Sequence, residues 1–180
     1  GETDKAAHNN ADFLPWFLQQ VNAHDRRTGT RSIDALDIHF YPEGLYNDKA
    51  DPETAAHRLR ATRSLWDGSY TDESWISQPI ALIHRMRQII AENYPGLKFG
   101  LSEWNFGADK TLNGALAIAD VLGILGREDV YFAAYWMYPP LNSPGYFAFK
   151  LYSNYDDQGA RFEGDSIGAQ VKLDDAVRAY

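Results

Sequence analysis

Residues 98–105 read Lys98-Phe99-Gly100-Leu101-Ser102-Glu103-Trp104-Asn105, a short apolar run that ends in a carboxylate, a tryptophan and an amide. Its length and apolar content suit a buried strand over 98–103. Two other runs have the same form. Residues 33–41 end in His39-Phe40-Tyr41, and Pro42 stops further pairing; residues 130–138 carry Tyr135-Trp136 and stop at Pro139-Pro140. Between the runs, apolar residues recur at helical spacing: Leu82, Met86, Ile89 and Ile90, then Ile118, Val121, Leu122 and Leu125. Strands that alternate with helices predict right-handed βαβ units and a parallel sheet, hence an α/β fold.

Composition narrows the classes. The 180 residues suffice for one domain with a sizeable core. With 44% hydrophobic and 23% charged residues, the chain is an ordinary globular one. A net charge of -8 argues against nucleic acid or an anionic membrane as partner, since both attract basic surfaces. No apolar run approaches the length needed to span a bilayer. Cysteine is absent, and the five histidines lack zinc-ligand spacing, so neither a metal nor a cofactor is expected.

Local signals place the remaining elements. Residues 1–11 are polar and are expected to be irregular. Asp12 is a candidate N-cap for a helix carrying Leu14, Phe17, Leu18 and Val21, which Gly29 ends. In the first strand Leu36, Ile38 and Phe40 share one face, and Asp37, His39 and Tyr41 share the other. Asp51-Pro52 opens a helix that runs to about residue 65. A long loop covers 66–75, and its Asp72-Glu73 pair is expected at solvent or at a helix cap. Asn113 is the candidate cap of the next helix. Residues 146–155 alternate like a strand through Phe147, Phe149 and Leu151, although a helix would be due there. Residues 154–159 faintly resemble a calcium loop but lack its terminal Glu; a plain turn is the better reading.

The chemistry follows from the strand ends. Polar and aromatic residues gather at the C-terminal ends of three successive strands, where β/α barrels form their active sites. Aromatic residues make up 14% of the chain, and rings with one wet face suit the C–H faces of sugars. Retaining glycoside hydrolysis uses two carboxyl groups about 5 Å apart, one as nucleophile and one as acid/base. Glu103 suits the nucleophile, Tyr41 a hydrogen-bond donor to it, His39 a sugar hydroxyl, and Trp136 the floor of a subsite. Trp66 and Trp104 are further stacking candidates. Each has a structural alternative when taken singly: a solvated Glu, a satisfied core His, a core Trp. Their joint placement favours catalysis. A complete eight-stranded barrel takes about 250 residues, and only three strands are legible here.

Several stretches resemble glycoside hydrolase family 44. Leu36-Asp37-Ile38-His39-Phe40-Tyr41-Pro42-Glu43 is similar to that family's sixth barrel strand, and Arg63-Ser64-Leu65-Trp66-Asp67 with Asp72-Glu73-Ser74-Trp75-Ile76 to the loop after it. Ser102-Glu103-Trp104-Asn105-Phe106-Gly107 resembles the seventh strand with its nucleophile. Ala119-Asp120-Val121-Leu122-Gly123, and then Phe149-Lys150 with Asn154-Tyr155-Asp156 and Gly164-Asp165-Ser166, resemble the following helix and the passage into a β-sandwich. The resemblance implies strands 6 to 8 of a TIM barrel over 1–158 and the start of a β-sandwich over 159–180. It also implies a last barrel helix at 146–155. The activity implied is that of a secreted retaining endo-β-1,4-glucanase, with xyloglucan, xylan or mannan as possible backbones and Glu103 as nucleophile. The family's acid/base glutamate follows an asparagine, and the sequence holds no Asn-Glu pair. The acid and the N-terminal half of the barrel are therefore expected outside these residues. The alternatives are a non-catalytic glycan-binding or scaffold module and another barrel glycosidase such as a mannanase or xylanase.

Overall fold

The computed structural model describes residues 2–164. Most of the expected β-sandwich start, 159–180, lies outside the described residues. Helices α1 (Glu2–Ala7) and α2 (Phe13–Thr28) precede strand β1 (Ala35–Phe40). Helix α3 (Pro52–Ala61) continues into a 3-10 turn, Thr62–Leu65, and α4 (Leu82–Asn93) leads to β2 (Lys98–Trp104). Helix α5 (Leu112–Arg127), β3 (Phe132–Tyr135) and α6 (Pro144–Ser153) complete the described residues. The three strands form one parallel sheet in the order β1-β2-β3.

One face of the sheet is buried beneath helices. Leu36, Phe40, Phe99, Leu101 and Trp104 meet Ile118, Val121 and Ile124 of α5 and Ile83, Met86 and Ile90 of α4 in a single core. At the other end of α2, Asp25 is buried and accepts from the Tyr94 hydroxyl, from Ser32 N at 2.8 Å and from Ser32 Oγ. Gly29 ends α2 in the left-handed conformation (φ 70°), where its missing Cβ removes the steric cost.

Four local expectations change. Residues 2–7 are helical rather than irregular; Asp12 occupies the N-cap of α2 as expected, with its side chain paired to Lys5 Nζ at 3.0 Å. Residues 146–155 lie largely in α6, as the family resemblance implied and the alternation did not. Ser143 accepts from Tyr146 N, and Pro144 occupies the first turn, a strong helix start that outweighs a three-residue alternation. Helix α5 is capped by Thr111, which accepts from Gly114 N; Asn113 points elsewhere. Strand β3 is four residues long, shorter than 130–138, because the backbone leaves the ladder after Trp136 N bonds Trp104 O.

The loop after the 3-10 turn is fixed from within. Asp72 is 5% exposed, not solvated, and accepts from Ser64 Oγ at 2.9 Å and Ser74 N at 3.0 Å. Glu73 receives both prongs of Arg60, at 2.8 and 2.7 Å, and the Tyr70 hydroxyl at 2.8 Å. The Arg60 hydrogen bonds, and then that of Tyr70, lower the Glu73 pKa from 4.5 to about 2 against the opposing effect of burial. Its folded pKa is depressed, so its stabilisation is complete above about pH 4.5 and is lost as pH falls toward about 2. The pair is part-exposed, so screening limits the effect to ~1 kcal/mol. Glu73→Gln should therefore lower the melting temperature at pH 7 and match the parent near pH 2, read from thermal melts across that range.

Residues 154–159 form a turn. Asn154 Oδ1 accepts from Gly159 N at 2.7 Å, Asp156 Oδ1 from Gln158 N at 2.9 Å and Ala160 N at 3.0 Å, and Lys150 Nζ lies 2.6 Å from Asp157. These side chains already serve backbone donors and a lysine.

Candidate active site

A one-residue irregularity in β2 positions the site. Ala35 to Ile38 pair with Lys98 to Leu101 in sequence, and then His39 pairs with Glu103 and Phe40 with Trp104. Strand β3 sees the same step: Leu101 pairs with Ala133, and Trp104 with Tyr135. Ser102 is the extra residue of a β-bulge. Strict alternation from Leu101 would carry Glu103 to the helix-covered face and Trp104 to the open one. The bulge reverses both. Glu103 comes level with His39 on the open face, and Trp104 comes level with Phe40 in the core.

On the open face the side chains converge. The Tyr41 hydroxyl donates to Glu103 Oε2 at 2.8 Å, and His39 Nδ1 lies 3.2 Å from the same oxygen. Among the described residues, none hydrogen-bonds Glu103 Oε1. Burial first, and then the Glu103 carboxylate, push the Tyr41 phenol above its ordinary pKa, so it stays a donor at all physiological pH values. The Glu103 side chain is 27% accessible and that of His39 55%, so a ligand can reach both. Among the described residues, no second carboxylate is recorded against Glu103.

Trp136 follows β3 and is 47% exposed. Its backbone is held on both sides: its N–H donates to Trp104 O at 3.1 Å, and its carbonyl accepts from Asn105 Nδ2. The Trp136–Met137 peptide is cis. Asn105 Oδ1 also accepts from Gly107 N at 2.6 Å and from the Tyr135 hydroxyl at 2.9 Å. A cleft of about 370 Å³ opens beside these residues, lined among others by Tyr46, Asp48, Asn105, Asp109, Lys110 and Tyr138. A larger apolar hollow of about 530 Å³ lies between Tyr135, Leu141, Tyr146 and Phe149, toward α6.

Two of the expected stacking residues are not brought here. Trp104 is 1% exposed; its ring is edge-on to Tyr135 with centroids 4.8 Å apart and tilted on Phe149 at 6.1 Å. Trp66 packs on the core, and Arg127 lies 4.3 Å over its ring. Helix α5 ends at Arg127, just before β3 begins. Trp66 therefore sits near the N-terminal ends of the strands, opposite Glu103. The residue types at 66 and 104 fit sugar stacking, but register and chain direction decide which way they face. Asn105, Tyr46 and Tyr135 enter the site without having been assigned a role from the sequence. Only the position of Asn105, two residues beyond Glu103, marked it in the sequence.

The chain is similar to known proteins in sequence and in fold. The family model described as glycoside hydrolase family 44 matches residues 1–44. Endoglucanase A of Paenibacillus lautus is 34% identical over 168 residues, which is 87% of this chain and 24% of that protein. The chain thus spans about a quarter of that relative's length. The crystal structure of CelM2, a bifunctional glucanase-xylanase from a metagenome library, superposes with a TM-score of 0.86 at 39% identity, over 89% of this chain and 31% of that one. A Paenibacillus polymyxa xyloglucanase of the same family, solved with xyloglucan, gives 0.80 at 35% identity, over 88% of this chain and 33% of that one. Shared sequence and shared fold agree, and nearly the whole chain is similar to part of the glycoside hydrolase family 44 enzymes.

Proposed function

We propose that the chain is the nucleophile-bearing part of a retaining endo-β-1,4-glucanase, and that Glu103 attacks the anomeric carbon. The observation that carries this is the bulge at Ser102, which turns one carboxylate onto the open face with Tyr41 and His39 sharing a single oxygen. That arrangement leaves Oε1 for the substrate. In the first step Oε1 bonds to C1 as the glycosidic C–O bond breaks, and an acid protonates the leaving oxygen. As the charge of Glu103 passes to the new ester, the Tyr41 hydroxyl steadies the remaining carboxylate character on Oε2. In the second step, water activated by the same acid, now a base, attacks C1 and releases Glu103.

In this reading the three strands are strands 6 to 8 of a TIM barrel. The barrel spans 1–158, and a β-sandwich begins in 159–180. The acid/base glutamate and the rest of the barrel come from outside these 180 residues, and the protein is secreted. Trp136 stacks on a sugar ring, while Tyr41 and His39 border the reacting centre. The xyloglucan bound by the P. polymyxa relative makes substituted glucans suitable substrates to try.

The test uses the complete gene product that contains this chain. It should release reducing ends from a soluble β-1,4-glucan, and the first product seen by NMR should keep the β configuration. Inversion would remove the nucleophile role. Binding without hydrolysis would favour a non-catalytic glycan-binding module.

A further inference from the structure

We propose that Arg58 is a positioning residue for the reaction, acting through the loops after β1 and β2 to hold Tyr41 against Glu103. The proposal rests on Glu103 being the nucleophile. Arg58 lies on α3 and is 0% exposed. Its Nε donates to Phe106 O at 2.8 Å and its Nη1 to Asn113 Oδ1 at 2.6 Å; Nη2 reaches Leu45 O at 3.4 Å and Asn47 O at 3.3 Å. Asn113 returns the bond to α3 through Ala55 O at 2.9 Å. These partners are carbonyl and amide oxygens. Asp51 and Asp48 act on the guanidinium only through space, and burial is the larger influence on it.

A cation buried without a carboxylate against it is a costly choice for stability alone. What it gains is geometry, since one planar fork spans two loops. Leu45 and Asn47 flank Tyr46, whose ring centroid is 5.0 Å from that of Tyr41, and Tyr41 donates to Glu103. On the other side, Phe106 adjoins Asn105, which holds the Trp136 carbonyl. The two loops touch directly: Ala108 N donates to Asn47 O at 2.8 Å, and a Cβ on Gly107 would meet Leu45 O at 2.4 Å. Arg58 thus joins the supports of Tyr41 and of Trp136 into one unit behind the site. It touches neither Glu103 nor the open face.

A purely structural clamp would lower Tm and the active fraction and leave kcat per titrated active site alone. A positioning role predicts more. In the complete gene product, Arg58→Met should lower kcat by about 10- to 100-fold with KM changed less, the scale expected for an ångström of misplacement. Tyr41→Phe should lower kcat in the same way, and the double variant Arg58→Met/Tyr41→Phe should be little worse than the worse single variant. Arg58→Lys, which keeps the charge but not the fork, should fall between parent and Arg58→Met, and it carries the test if Arg58→Met does not fold. Strictly additive losses in folded variants, or an unchanged kcat per active site, overturn the proposal. If Glu103→Gln turned over normally, the nucleophile assignment itself would be at fault, a result distinguishable from either.

Discussion

Replacing Glu103 with glutamine in the complete gene product should lower kcat on a β-1,4-glucan by about 10³-fold or more, with the glucan Kd within a few-fold of the parent. Glutamine has the same shape, and its amide oxygen can still accept from Tyr41, so the groove keeps its form. What is lost is the anionic oxygen that bonds to C1, together with the charge that steadies the developing cation. The expected signature is a fall in kcat and kcat/KM together, because the missing interaction is made only in the transition state. Kinetics on a soluble glucan and titration of the inactive variant with a cello-oligosaccharide give the two numbers. Turnover within tenfold of the parent would remove Glu103 from the nucleophile role. A large loss of glucan binding would instead make it a binding residue.

Trp104→Ala should destabilise the fold by about 3–5 kcal/mol, the usual cost of truncating a large aromatic side chain in a core. Trp104 is 1% exposed, and its ring meets Tyr135 and Phe149, so its removal opens a cavity under both β3 and α6. Thermal or denaturant unfolding of the variant reads the change directly. The contrasting outcome is an unchanged melting temperature with weaker glucan binding, which would return Trp104 to the groove. Adjacent residues on one strand thus give opposite expectations: kcat loss without unfolding at 103, unfolding at 104.

The candidate site was legible where residue type and spacing act over a few neighbours. Glu103, Tyr41 and His39 were found because each ends a short strand-like run, and their meeting at one oxygen follows from parallel neighbours in register. Trp136 was found for the same reason. Trp66 and Trp104 show the limit, since a tryptophan beside polar residues looks alike whether it faces a groove or a core. Arg58 shows another, because an arginine on a polar helix gives no sign that it will be fully buried across two loops.

The alternation of strand-like and helical runs by itself determined a parallel α/β sheet and the elements that carry the site, because burial periodicity and helix starts such as Asp51-Pro52 are local. Sequence also put the carboxylate, the phenol and the imidazole at strand ends. Only the tertiary structure decided which face Glu103 meets. A side chain's face depends on the count of residues between paired positions, and a single bulge at Ser102, visible only once β1 and β3 are laid against β2, inverts everything after it. That inversion turns the carboxylate to the open face and the tryptophan to the core.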